Sequence, residues 1–350
     1  MKAVTLHGPF DVRCSTVPDP AVLAPTDAVV RVVAACVCGS DLWPYRGDAE
    51  AGVEWRMGHE FVGVVEEVGS AVAAVSAGDF VISPFSWSDG TCAMCRRGVT
   101  TSCLGGGWWG GRDREGRPVD GGQGEYVRVP QADGTLVPVP DGRAAATEEL
   151  LPSLLTLSDV MCTGHHAAVS ARVTPGCTVA VVGDGAVGLC GVLAARRLGA
   201  ERIVAMSRYP DRQAIAVDFG ATDVVGARGA DGAREVGELL SGGADAVLEC
   251  VGTGESMRQA LAAARPGGTV GFVGIPHDVE LPVSDMFQRN VGVAGGVAPA
   301  RIYLPELLDD VLARRIAPGR VFDRELPLGD APEAYDAMHS RKAVKVLLRP

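Results

Sequence analysis

Thr178-Val179-Ala180-Val181-Val182-Gly183-Asp184-Gly185-Ala186-Val187-Gly188 is the stretch on which the reading of this chain turns. A β-branched apolar run leads into G-x-G-x-x-G, and Val187, Cys190, Ala194 and Leu198 then recur at helical spacing. Strand, tight turn and helix in immediate succession form the context that a dinucleotide-binding fingerprint requires. In such a turn Gly183 lets the chain reverse, Gly185 lets backbone approach a pyrophosphate, and Gly188 lets helix pack on strand. Ala186 and Val187 open the helix, whose unpaired N–H groups face the phosphates. With 46 glycines in the chain the motif alone would be weak, so the flanking strand and helix carry the inference.

The residues beyond the turn agree with it. Ile203–Ser207 reads as a second strand, Asp211–Phe219 as a helix and Asp245–Cys250 as a buried strand. Ser256–Ala264 is a further helix, and Thr269–Val273 a strand behind the turn signal Pro266-Gly267-Gly268. Strands alternating with helices predict a doubly wound parallel sheet, which runs from Leu155 to Ala298. Residues 1–150 read differently, as a separate strand-rich domain with Val29–Ala34, Phe61–Val68, Asp79–Ser83 and Tyr126–Val129 as its strands. Gly105–Gly124, carrying Trp108 and Trp109, reads as an ordered loop against a pocket or interface. Glu148–Leu157 and Met161–Ala171 are expected as bridging helices and Leu304–Arg315 as an amphipathic one. Ala343–Leu348 alternates like a strand that returns to the first domain.

Length and composition set the bounds. A chain of 350 residues is too long for one ordinary core. At 47% hydrophobic and 21% charged residues it is globular. A net charge of −11 with no basic cluster argues against nucleic acid and against an anionic membrane surface. No apolar run approaches a membrane span, and Met1–Gly8 lacks the apolar core of a signal peptide. The expectation is a soluble, cytoplasmic protein. Ten cysteines in such a compartment stay reduced. Cys14, Cys36, Cys177 and Cys190 read as ordinary core residues, whereas Cys92, Cys95 and Cys103 crowd one loop and suggest metal.

Three separated pieces could form another metal site. Cys38 lies in Cys38-Gly39-Ser40-Asp41, His59 and Glu60 follow Met57-Gly58, and Asp159 precedes Thr163-Gly164-His165-His166. A thiolate, an imidazole and a carboxylate leave a tetrahedral zinc one open position, the catalytic arrangement. Taken singly, Cys38 defaults to a small buried apolar side chain and His59 to a hydrogen-bonded core histidine. Asp89-x₂-Cys92-x₂-Cys95-x₇-Cys103 could close a tetrahedron around a structural zinc, or be a lobe whose thiols merely pack. At the end of the second strand, Ser207 stands where an NAD-preferring site places an acid. Arg208 and Arg212 could then receive a 2′-phosphate, the alternative being arginines solvated at a strand end.

Cys38-Gly39-Ser40-Asp41, Gly58-His59-Glu60-Phe61-Val62-Gly63-Val64-Val65, the Thr163-Gly164 turn and the glycine fingerprint together resemble, in identity and order, the zinc-dependent medium-chain dehydrogenases. The likeness is nearest to the formaldehyde-dehydrogenase-like alcohol dehydrogenases and covers essentially the whole chain. It implies an α/β protein: a GroES-like β-rich catalytic domain over residues 1–154, a Rossmann doubly wound sheet over 155–298, and a return to the catalytic domain over 299–350. It implies catalytic zinc on Cys38, His59 and Asp159, because the family's third ligand lies four residues before the Thr-Gly pair, which selects Asp159 over Cys162. Glu60 matches the acid behind the metal, and Ser40 the hydroxyl that exchanges a proton with the substrate oxygen. Thr163, Cys250 and Val251 fall beside the nicotinamide. Family members often carry cysteine in all four places of the structural site, where this chain has Asp89.

Trp43 stands where many relatives have the outer histidine of the proton relay, so the route beyond Ser40 must use ribose, water or another group. Trp43, Trp87, Trp108 and Trp109 are candidates for an aromatic substrate pocket or for packing. The implied activity is hydride transfer between NADP(H), preferred over NAD(H), and an alcohol, aldehyde or ketone, by a homo-oligomer, dimer or tetramer. Two other readings stand beside it: oxidation of small aldehydes with NAD(P) in the manner of formaldehyde dehydrogenase, and nucleotide binding without turnover. The complete Cys38, His59 and Asp159 set speaks against the last.

Overall fold

The structure, a computed structural model, describes residues 1–49, 52 and 54–350. Met1–Asp159 and Pro299–Pro350 make one compact unit, and Val160–Ala298 the other. The first unit opens with β1 (Lys2–Gly8), β2 (Asp11–Thr16), β3 (Ala28–Cys36), β4 (Trp55–Arg56), β5 (Phe61–Val68) and β6 (Phe80–Ser83). Then come the short β7 (Ser86–Trp87) and β8 (Gly107–Trp108), followed by β9 (Tyr126–Val129) and β10 (Val137–Pro138). The antiparallel path β10-β6-β5-β3, with β9 also on β3, forms the main wall.

β3 and β5 decide where chemistry can occur. Both are Val-rich and mostly buried, as β-branched residues packed on both faces should be. Two register shifts bend β3 against β5. Gly63 is needed at this crossing, since a Cβ there would lie 2.2 Å from the Arg31 carbonyl oxygen. The pairing Ala35↔Phe61 sets the end of β3 beside the start of β5. Cys38 and His59, just outside that pair, therefore emerge at the same end of the sheet.

In the second unit β11 (Thr178–Val182), β12 (Arg202–Met206), β13 (Asp223–Val225), β14 (Ala244–Glu249), β15 (Ala264–Phe272) and β16 (Gly292–Gly295) are all parallel. Their order is β13-β12-β11-β14-β15-β16, so the sheet reverses direction of growth beside β11, where such folds bind ligands. Their apolar runs are almost wholly buried, the pattern of a sheet covered on both faces. One expectation is corrected. Pro266-Gly267-Gly268, expected as a turn ahead of a strand Thr269–Val273, lies within β15, because a register shift between Ala244 and Ala246 absorbs it. The amphipathic helix Gly229–Leu239 and the strand β13 before it carry no motif that marks them in the sequence.

The chain then rejoins the first unit through the helix Ala300–Leu312, β17 (Arg324–Pro327), the helix Ala331–His339 and β18 (Val346–Arg349). β18 pairs with β3 through Leu347↔Cys36. Tyr335 packs into a core with Val4, Leu6, Val37 and Leu348.

Arg128 of β9 fastens the glycine-rich loop to this frame. Its guanidinium donates to Asp27 Oδ2 at 2.8 Å, to Asp113 Oδ2 at 3.0 Å and to the Pro118 carbonyl at 3.0 Å. All three charged side chains are buried. Removing the cation would leave buried Asp27 with only the N–H groups of Leu23 and Ala24, while Asp113 keeps Arg117, so Arg128→Ala should lower stability to denaturant by about 3 kcal/mol. A loss under about 1 kcal/mol would show that water replaces the guanidinium.

Candidate functional site

Cys38 follows β3, His59 and Glu60 precede β5, and Asp159 sits in the turn after the helix Leu151–Thr156. One donor atom from each lies within 4.8 Å of the others. His59 Nε2 is 3.3 Å from Asp159 Oδ2 and 4.0 Å from Glu60 Oε1, and Cys38 Sγ is 3.7 Å from Asp159 Oδ2. Cys162 lies in the next helix, Val160–Ser170, and is not part of this group.

Two further residues, which the motifs do not mark as site residues, organise the cluster. Asp41 accepts the Cys38 N–H at 2.9 Å, the Gln123 amide at 3.2 Å and His59 Nδ1 at 3.2 Å. With Nδ1–H committed to Asp41, the Nε2 lone pair faces the cluster, the arrangement by which carboxylates orient metal-binding histidines. Tyr335 in turn donates to Gln123 Oε1 at 2.9 Å. Lys345 Nζ lies 2.7 Å from Glu60 Oε1 and 3.2 Å from the Val37 carbonyl. Asp41 has a local signal, an acid three residues after Cys38. Lys345 has none.

The electrostatics suit a cation. Burial pushes the Cys38 thiol up, and Glu60 and Asp159 add to the effect. Burial also raises Glu60, against the pull of Lys345. Burial opposes a charged His59, but Asp41, Cys38 and Asp159 outweigh it and set its pKa well above the usual value. Glu60 Oε2 has no hydrogen-bond partner among the described residues. Burial thus holds the Cys38 thiol and the Glu60 carboxyl towards their protonated forms, while acidic neighbours hold a proton on His59; a divalent ion, which binds the deprotonated forms, relieves all three. The donor set fits zinc with Cys38, His59 and Asp159 as ligands and Glu60 behind them.

A cavity of about 230 Å³ adjoins the cluster, lined among others by Ser40, Pro44, Trp55, Arg56, His59 and Trp109. The Ser40 hydroxyl is 3.5 Å from His59 Nε2. Of the tryptophans expected there, Trp109 reaches the cavity while donating to the Pro84 carbonyl, and Trp55, which no motif marks, joins it. Trp87 is buried in the core, Trp108 is exposed and stacked on Phe85, and Trp43 lies against Arg46.

The second group, Asp89, Cys92, Cys95 and Cys103, also brings its donor atoms within 4.8 Å. Backbone N–H groups surround it: Asp89 Oδ1 accepts from Thr91 and Cys92, Cys92 Sγ from Cys95 and Leu104, Cys103 Sγ from Asp89 and Gly105. Burial works against ionising Asp89, but the N–H groups of Cys92 and Thr91 hold it at about 2. The N–H groups of Cys95 and Leu104 lower Cys92 to about 7, while burial and the neighbouring thiols push Cys95 up to about 12. Four converging ligands leave no open position, so a metal here could only staple the loop.

In the second unit, Gly183 has φ of +116°, and a Cβ on Gly188 would meet the Gly183 oxygen at 1.9 Å. Gly185 caps the helix Ala186–Arg197 without a side-chain bond, and the space where its Cβ would point is open. This is a free helix N-terminus that backbone-bound phosphate could occupy. Cys250 and Val251 pack against Gly183, and Thr163 lies half-buried in the helix Val160–Ser170. Ser207 donates to Asp184 Oδ2 at 2.9 Å, and Arg212 reaches Asp184 Oδ1 at 3.4 Å. Arg208 instead points to solvent, over the Tyr209 ring. The fingerprint itself leaves position 184 open to any residue. Cys14, in β2, and Cys177, just before β11, both expected in the core, are half-buried.

Residues 24–141 match the family described as alcohol dehydrogenase GroES-like domain, and residues 186–313 match the zinc-binding dehydrogenase family. The zinc-type alcohol dehydrogenase B of Aspergillus flavus is 35% identical across 100% of this chain and 81% of its own length. The alcohol dehydrogenase of Thermus sp. ATN1 superposes with a TM-score of 0.90 at 33% identity, covering 100% of this chain and 99% of that one. A zinc-binding dehydrogenase of Sinorhizobium meliloti 1021, solved bound to NADP, gives a TM-score of 0.77 at 29% identity, covering 100% of this chain and 99% of its own.

Proposed function

This chain belongs to the zinc-dependent medium-chain dehydrogenases and is a zinc-type alcohol dehydrogenase; from that premise we propose an NADP(H)-preferring enzyme that interconverts alcohols with aldehydes or ketones. The observation that carries the reading is the convergence of Cys38, His59, Glu60 and Asp159 within 4.8 Å, from remote segments, beside a cavity. Cys38, His59 and Asp159 would hold the zinc, and the chemistry it would supply is that of a Lewis acid for the substrate oxygen. The remaining steps belong to side chains. Asp41 fixes the His59 ring, Lys345 anchors Glu60, and the Ser40 hydroxyl gives a proton to the substrate oxygen on reduction or takes one on oxidation. Pro44, Trp55 and Trp109 offer the substrate an apolar surface.

In this reading the glycine turn and the helix N-terminus hold the pyrophosphate, and Thr163, Cys250 and Val251 border the nicotinamide. Ser207, Arg208 and Arg212 receive the 2′-phosphate; that the Sinorhizobium relative was solved bound to NADP supports the choice of nucleotide. Asp89, Cys92, Cys95 and Cys103 hold a structural zinc. Residues 1–154 and 299–350 form the catalytic domain and 155–298 the nucleotide domain. The nearer kinship with the formaldehyde-dehydrogenase-like branch belongs to the same reading. A cytoplasmic homo-oligomer fits ten cysteines of which none is in a disulfide, and the exposed Val283 and Phe287 (69% and 78%) near the edge strand β16. No helix is long and apolar enough to cross a membrane.

Elemental analysis should find two zinc ions per chain. Asp159→Ala should keep one, lose most turnover and still bind nucleotide, while Cys162→Ala should be mild. An Asp159→Ala protein that turns over like the parent would move the third ligand elsewhere. Against NADPH, Arg208→Ala should raise KM by about tenfold, the weight of one solvent-facing charge-assisted bond, and hardly change KM for NADH. Equal use of both nucleotides by parent and variant would make Arg208 a solvated strand-end residue.

A further inference from the structure

The glycine turn holds a carboxylate that neither phosphate binding nor strand pairing requires. Asp184 is the first variable residue of G-x-G-x-x-G, and its side chain is 13% exposed. It turns onto the end of β12, where Oδ2 accepts the Ser207 hydroxyl at 2.9 Å. Arg212 donates to Asp184 Oδ1 at 3.4 Å and to its backbone carbonyl at 3.2 Å, with a guanidinium side chain only 12% exposed and 5.3 Å above the Tyr209 ring. The strand end itself lacks the acid that would bind a ribose 2′-hydroxyl, since Ser207 stands there. The facing turn brings a carboxylate to the same place.

We propose that Asp184 sets how strongly this site discriminates between a 2′-phosphate and a 2′-hydroxyl, acting against the phosphate; the proposal rests on the reading of this turn as the NADP(H) site. Arg208, Arg212 and Asp184 together carry a formal charge of +1, which Asp211, in the same first helical turn as Arg212, offsets. A 2′-phosphate, carrying roughly −1.5 to −2 charges at neutral pH, can take the Ser207 hydroxyl only by drawing it from Asp184, and it competes with Asp184 for the Arg212 guanidinium. The carboxylate is then left facing the phosphate, in a partly buried place where like charges repel more than in water. A 2′-hydroxyl meets no such conflict. It donates to Asp184 while Arg212 keeps its ion pair, as it would to an acid at the strand end. Asp184 thereby keeps NAD(H) usable in a site whose arginines favour NADP(H).

The charge can be removed with little change of shape. In Asp184→Asn the side-chain oxygen still accepts from Ser207 or Arg212, and the backbone carbonyl bond to Arg212 persists. Calorimetric titration of the full-length, zinc-loaded protein with NADP⁺ and with NAD⁺ reads the effect without turnover. In Asp184→Asn at low salt, NADP⁺ should bind about tenfold tighter and NAD⁺ several-fold weaker, with the change in ratio shrinking as salt is raised. Asp184→Glu, which restores the charge, should return the ratio towards that of the parent. A ratio unchanged in Asp184→Asn, whether both nucleotides still bind or both are lost, overturns the proposal and makes Asp184 a brace for the turn. If the parent prefers NAD⁺ and the ratio still shifts, the role of Asp184 stands and the NADP(H) preference falls. If the parent prefers NADP⁺ and the ratio does not move, the preference stands and this proposal falls.

Discussion

The ion pair between Glu60 and Lys345 closes the first unit on itself. The partners are 285 residues apart and their side chains are 0% and 1% exposed. Either charge alone in that place would cost about 3–5 kcal/mol relative to the pair, so neither can be satisfied without the other. Glu60 precedes β5 and Lys345 precedes β18, and β3 lies between those strands in the sheet. The pair therefore ties the return of the chain's last segment to the position of the carboxylate behind the candidate zinc ligands.

Around that pair, rigidity is built in layers. The register of β3 against β5 brings Cys38 and His59 to one end of the sheet. Asp41 then binds the Cys38 N–H and His59 Nδ1 together, and is held by Gln123, which Tyr335 holds. Each link is buried and satisfied by the next, so the imidazole has one orientation and one tautomer. A ligand set fixed in this way binds a cation with little reorganisation, and keeps the Ser40 hydroxyl at a set place beside it.

Much of this is legible in the sequence, and for a physical reason. The glycine turn, the motifs around Cys38 and His59, and the four-residue lobe from Asp89 are local: a few neighbouring residues determine both backbone and chemistry. Strands β3, β5, β9 and β11 announce themselves through β-branched runs, and the parallel sheet through its alternation with helices. What stays hidden depends on partners remote in sequence. Lys345 looks like any strand-flanking lysine until β18 pairs with β3. Asp184 looks like filler in a fingerprint until β12 brings Ser207 and Arg212 to it. Pro266-Gly267-Gly268 is a turn by local chemistry, and only the register shift against β14 lets β15 run through it.

Monitoring NADPH absorbance against a panel of aldehydes, before and after a chelator strips the metal, tests the proposed chemistry most directly. With zinc present, NADPH should be oxidised by at least one aldehyde. The metal-free protein should still bind NADPH yet reduce none, and added zinc should restore the rate. Aldehyde reduction that persists without metal would contradict a zinc-centred mechanism, as would a zinc-loaded protein that oxidises NADPH with no aldehyde at all.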